Sequence, residues 1–116
     1  MKYMILIYAD EAAWAALSPT EMERGMGAYR AYSEALAGAG KMVTGSELAP
    51  VKTARSITVR GETARVVDGP YVDTKEQLGG FYLIDVENEA EAIAWAKKCP
   101  GAHHGGVELR PCLGMD

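Results

Sequence analysis

Asp68, Asp73, Lys75 and Glu76 fall within one short stretch, Asp68-Gly69-Pro70-Tyr71-Val72-Asp73-Thr74-Lys75-Glu76-Gln77, with strand-like runs on either side. Carboxylates and an amine this close can transfer protons: Glu76 or Asp68 serves as acid or base, while Lys75 holds an anion. The same residues also have structural uses. Asp-Gly-Pro is a turn, in which aspartate bonds nearby backbone, glycine relieves strain and proline fixes φ. Asp73 can bond amides near Glu76, leaving the loop charges in water. Tyr71 stands beside them as a ligand contact.

Further candidates lie elsewhere. Glu47, between Ser46 and Leu48, either points into a cavity or guards a sheet edge. Glu108 and Arg110 share one face of a strand; they pair, or Arg110 binds a carboxylate ligand. His103 and His104, the only histidines, sit in a glycine-rich loop, where His104 can act as acid and base near neutrality or simply face solvent. Tyr29, Tyr32, Trp14 and Trp95 are pocket walls or core residues, and Tyr29 is kept as a ligand contact. Gly79-Gly80 matches neither nucleotide-binding fingerprint; close backbone approach at a strand start explains it.

Something must position these groups. A chain of 116 residues is sized for one domain, 1–116. The net charge of -4, with no basic run longer than Lys97-Lys98, argues against direct nucleic-acid binding. No segment approaches a membrane span. Cys99 and Cys112 form no redox or metal spacing, and the apolar opening is short for a signal peptide, so a cytoplasmic home is expected with no cofactor and no metal.

Tyr3 to Tyr8 reads as a strand, and Ala9 to Leu17 as a connection with a helical turn near Trp14. Ser18-Pro19-Thr20-Glu21 has the form of a capping box opening a helix over about Pro19 to Ala39, in which Met22, Met26, Tyr29, Ser33 and Leu36 repeat at helical spacing. Met42 to Leu48 is a second strand. Ser56 to Arg60 and Thr63 to Asp68 alternate around Gly61-Glu62 as a hairpin. Phe81 to Val86 is a central strand. Asn88 caps a helix reaching Lys98, Val107 to Cys112 is the last strand, and Gly114-Met115-Asp116 is a tail. Without the hairpin, this α+β order is the ferredoxin-like βαββαβ pattern.

Two helices cover one face of such a sheet. Yet Tyr3, Ile5 and Ile7 oppose Met4, Leu6 and Tyr8, and Phe81 and Leu83 oppose Tyr82, Ile84 and Val86. Both faces of the central strands are apolar, so a homodimer through the helix-free face is expected.

The chain resembles the YCII-related family, and more closely its branch with an Asp-Gly-Pro-Phe signature. The resemblance rests on Tyr3-Met4-Ile5-Leu6-Ile7-Tyr8, Gly45-Ser46-Glu47-Leu48-Ala49-Pro50, Asp68-Gly69-Pro70-Tyr71, Lys75-Glu76-Gln77-Leu78-Gly79-Gly80-Phe81, Cys99-Pro100 and Val107-Glu108-Leu109-Arg110-Pro111. It implies a dimeric α/β barrel of ferredoxin-like protomers, and an association with extracytoplasmic-function sigma factors. Some relatives are thought to use a His-Asp pair. Here Tyr71 replaces the signature phenylalanine, and Tyr8-Ala9-Asp10 stands in the strand-one region with no histidine. Three functions follow as expectations: an enzyme on a small polar molecule, a non-catalytic ligand-binding or regulatory module linked to a sigma factor, or a dimer made only for protein interaction.

Overall fold

Hydrophobic alternation and two local capping signals account for most of the architecture in the computed structural model, which describes residues 1–114. The elements are β1 (Lys2–Ala9), α1 (Glu11–Ala15), α2 (Pro19–Gly38), β2 (Met42–Glu47), β3 (Arg55–Arg60), β4 (Thr63–Asp68), β5 (Gln77–Asp85), α3 (Glu89–Lys98) and β6 (Gly106–Pro111). Single 3₁₀ turns lie at Val51–Thr53 and Pro100–His103. The predicted tail extends past Gly114 to Met115 and Asp116, which lie outside the described residues.

Four strands form one antiparallel sheet in the order β2-β5-β1-β6, the ferredoxin-like arrangement. β3 and β4 pair separately as a two-stranded sheet. The dimeric α/β barrel expected from the resemblance is corrected here. The sheet is open, ending in edge strands β2 and β6, and the hairpin does not bridge them. Four strands are about half the number that the smallest well-filled barrels use, so this sheet cannot curl round to meet itself.

Tyr3, Ile5 and Ile7 of β1 and Tyr82, Ile84 and Val86 after them lie beneath the helices. Tyr32 and Leu36 of α2, Ala92 and Ala96 of α3, and Cys99 complete that core. Met26, which periodicity places in the apolar stripe, is exposed instead. The opposite face carries Met4, Leu6 and Tyr8 of β1 with Phe81 and Leu83 of β5. Thr44 and Ser46 flank them on one side, Glu108 and Arg110 on the other.

α2 begins as the sequence dictates. Ser18 Oγ accepts from the Glu21 amide at 3.1 Å, and Glu21 Oε1 accepts from the Ser18 amide at 3.0 Å. These bonds hold the Glu21 carboxyl below its ordinary range. Asn88 caps α3 by accepting from the Glu91 amide at 2.9 Å. Gly40, at φ 72°, turns the chain out of α2.

β5 starts at Gln77, four residues before the predicted Phe81. Ile7 pairs with Gly80 but Tyr8 pairs with Leu78, so Gly79 is the extra residue of a bulge. Gly80 is needed for space: a Cβ there would lie 3.0 Å from the Ser46 carbonyl oxygen. The glycine pair therefore belongs to the strand.

Candidate functional site

β1 delivers Tyr8 to the helix-free side at the end of the sheet, and the bulge sets Leu78 opposite it. Two chain segments wall this place. The first follows β2: Leu48 donates its amide to Gly79 O at 2.9 Å, extending the ladder by one bond before Pro50 and the 3₁₀ turn. The Val51 amide donates to Glu11 Oε1 at 2.9 Å, which ties this wall to α1.

The second segment is the loop from Gly69 to Glu76. Gly69, at φ 107°, takes a conformation that a side chain rarely allows. Its amide donates to Ala54 O at 2.9 Å, and Ser56 Oγ donates to its carbonyl at 2.8 Å. Farther along, Gln77 Nε2 donates to Val72 O at 2.9 Å and Thr74 O at 2.8 Å. Thr74 Oγ1 donates to Glu76 O at 2.7 Å. The sequence assigned this bracing to Asp73; Thr74 and Gln77 perform it.

Between the walls is an open hollow of about 590 Å³. Tyr8 and Leu78 meet Leu48, Ala49 and Val51 on one side and Pro70, Tyr71 and Val72 on the other. Thr74, Glu76 and Gln77 border it. Glu76 is the only acidic or basic side chain in this lining, which is otherwise largely apolar and aromatic. A second, shallower hollow adjoins it, formed by Tyr8, Thr74, Lys75, Glu76 and Glu108. Tyr8, Thr74 and Glu76 are common to both.

Of the residues singled out from sequence, the fold therefore brings together Glu76, Lys75, Tyr71 and Glu108. Arg110 reaches the second hollow only through Glu108, to which its Nε donates. That bond and charge raise the Arg110 pKa. Asp68 lines neither hollow: it pairs with Arg55 at 3.2 Å across the hairpin base, with its side chain 87% exposed. Asp73 is exposed and borders neither space. His104 lies exposed beyond the Pro100–His103 turn, while His103 Nε2 is 3.0 Å from Lys97 O.

Glu47 and Tyr29 belong to the other face. Glu47 sits opposite Gly80 in β2, next to Gly45, and its side chain is exposed. Tyr29 projects from α2 half-buried, near Gly101. Burial above all, then Cys99, Tyr82 and Glu47, pushes its phenol up to about 12. Tyr8, Thr74, Gln77 and Leu48 were not among the predicted site residues. Tyr8 alone left a trace, as the last apolar residue on the second face of strand one. Among the described residues no cluster of three His, Cys, Asp or Glu side chains could hold a metal, and no helix is long and apolar enough to cross a membrane.

The model of the YCII-related domain matches residues 1–116. The chain belongs to the YCII-related family. An uncharacterized protein of Rhizobium meliloti (strain 1021) is 37% identical over 113 residues, covering 96% of this chain and 91% of its own length. Among solved structures, 5-chloro-2-hydroxyhydroquinone dehydrochlorinase (TftG) from Burkholderia phenoliruptrix AC1100, in complex with 2,5-dihydroxybenzoquinone, is similar to this YCII-related chain. Its TM-score is 0.55 at 15% identity, covering 97% of this chain and 93% of that one. At that identity the likeness is one of fold.

Proposed function

We propose that this YCII-related protein is an enzyme acting on a small molecule held in the hollow, with Glu76 moving the proton. The observation that carries the reading is the position of Glu76. It is the only carboxyl group on the wall of the larger space, and it also lines the smaller one. A ligand lays its apolar part against Leu48, Val51 and Tyr71 and turns a polar end to Glu76 and Tyr8. That is a less polar molecule than the sequence led us to expect. The TftG likeness supports the reading through its fold, since a chain so built is named for a reaction on a small hydroxylated ring.

A second reading, a non-catalytic regulatory module, is favoured by the residue at the end of β1. Tyr8-Ala9-Asp10 occupies the strand-one region with no histidine, although some relatives are thought to use a His-Asp pair. In that reading the Asp68-Gly69-Pro70-Tyr71 turn supports membership of the Asp-Gly-Pro branch, and with it an association with a sigma factor. In both readings Met4, Leu6 and Phe81 on the helix-free face pair two copies as a homodimer, and the free cysteines suit a reducing cytoplasm.

Substitution tests the assignment. Glu76→Gln keeps the size of the side chain and removes its charge, so the fold stays intact. General acid–base help is worth about 10²–10⁴ in rate, and turnover of chlorinated hydroxyhydroquinones by the wild type should drop by that order in the variant. Binding of 2,5-dihydroxybenzoquinone by wild type and variant alike, without turnover by either, would leave the regulatory module standing.

A further inference from the structure

We propose that the β3–β4 hairpin is an arm that docks on a second copy of this chain through the face bearing Ile57, Val59 and Val66. Its amphipathic sense is reversed for a lone molecule. Ile57, Val59 and Val66 are 62%, 58% and 64% exposed, whereas Ser56 and Thr58 on the opposite face are half-buried. Ile57 lies directly across from Val66, and Val59 from Ala64, so these side chains form one continuous aliphatic surface. Among the described residues β3 and β4 pack chiefly on each other. Two-stranded hairpins standing alone are marginal in water, so the arm needs a surface to lie on. It also stretches the molecule: the radius of gyration is 16.0 Å, against roughly 13 Å for a compact chain of this length.

Charge and area name the occupant. Arg55, Arg60 and Arg65 outnumber Glu62 and Asp68 in the hairpin, residues 55–68, a net of +1 in a chain whose total is -4, which leaves the remainder at -5. A second copy thus offers an acidic body to a basic arm, and a two-fold axis makes the exchange mutual. The three aliphatic side chains supply only about 200–300 Å² of apolar area at roughly 60–100 Å² each. A stable interface buries about 800 Å² per partner. The arm therefore adds to contact across the helix-free face and does not replace it. This proposal does not rest on the reading of the hollow.

Sedimentation of the full chain over micromolar concentrations tests it, alongside Ile57→Thr/Val66→Thr and Arg60→Glu/Arg65→Glu. Threonine keeps the β-branched shape and removes much of the apolar surface. The wild type should sediment at about twice 12.5 kDa. Each double variant should weaken the dimer at least about tenfold. Mixed-label NMR should give intermolecular contacts from the Ile57 δ1 methyl. If the threonine pair unfolds the hairpin, the charge pair and the methyl contacts decide. A monomeric wild type, a charge variant that dimerises as well as the wild type, or an Ile57 methyl without intermolecular contacts would each overturn the proposal.

Discussion

Gln77 works on backbone rather than on ligand. Its amide bonds the carbonyls of Val72 and Thr74, two acceptors in a loop with no regular structure of its own. Gln77→Leu keeps the volume and strips both bonds, each worth about 0.5–1.5 kcal/mol. Amide hydrogen exchange in residues 72–76 should then accelerate about tenfold with little change elsewhere; unaltered exchange there would contradict the bracing role. Tyr32 serves a helix end in a comparable way. Its hydroxyl donates to Trp95 O at 2.7 Å, a carbonyl that α3 leaves free because the Cys99 amide bonds Ala96 O instead. Tyr32→Phe should cost about 1–3 kcal/mol in urea unfolding, since it strands a partly buried acceptor. Neither partnership was legible in the sequence, which gives the type and face of a residue but not which carbonyl a distant turn presents. For the same reason Asp68, Glu47, Tyr29 and His104 read as candidates by type, and the fold spreads them over the hairpin base, the helix face and a solvent loop.

Trp14 of α1 rests on α2 where glycine leaves room: a Cβ on Gly25 would lie 2.9 Å from the indole ring. The contact has a reach beyond the helices, because Glu11 on the same short helix holds the Val51 amide. Gly25→Ala should gain roughly 1 kcal/mol of helix propensity while pushing the ring outward. The expected outcome, in a Trp95→Phe background, is an undiminished melting temperature with red-shifted tryptophan emission and faster exchange at Val51. Unmoved emission would refute the packing account. Elements with signals inside their own few residues were the readable ones: the Ser18 box, the Asn88 cap and the alternating strands all appear where predicted. The start of β5 was hidden because a bulge glycine and a close-approach glycine look like a loop in one dimension. The barrel inference failed for a different reason, since closure depends on strand count and edge pairing, which no single segment carries.

Across the whole chain, Tyr29, Tyr32 and Tyr82 meet between the sheet and α2, with Tyr29 half-buried at the edge of the core. Burial raises Tyr29, Tyr32 and Tyr82 alike, although Ser33, hydrogen-bonded to Tyr82, partly offsets the last. A raised folded-state pKa means that the folded chain keeps its proton longer than the unfolded one. Stability should therefore be flat up to the ordinary value of 10.0, then decline as pH climbs toward about 12 and beyond. Tyr29→Phe should make that decline shallower. Urea midpoints against pH, followed with tyrosinate absorbance, check both statements; ionisation of all tyrosines before any loss of stability would contradict them. The single bulge in the central pair has its own bearing on the assembled molecule. Deleting one residue from a strand normally turns everything beyond it inside out, but Gly79 is the supernumerary member between two intact pairings. A chain lacking Gly79 would keep Ile7 against Gly80 and Tyr8 against Leu78, sacrifice the Leu48 bond to Gly79, and lose the local coil that the surplus residue imposes. The angle at which the acidic loop departs could then be changed by itself, with the rest of the ribbon left in step.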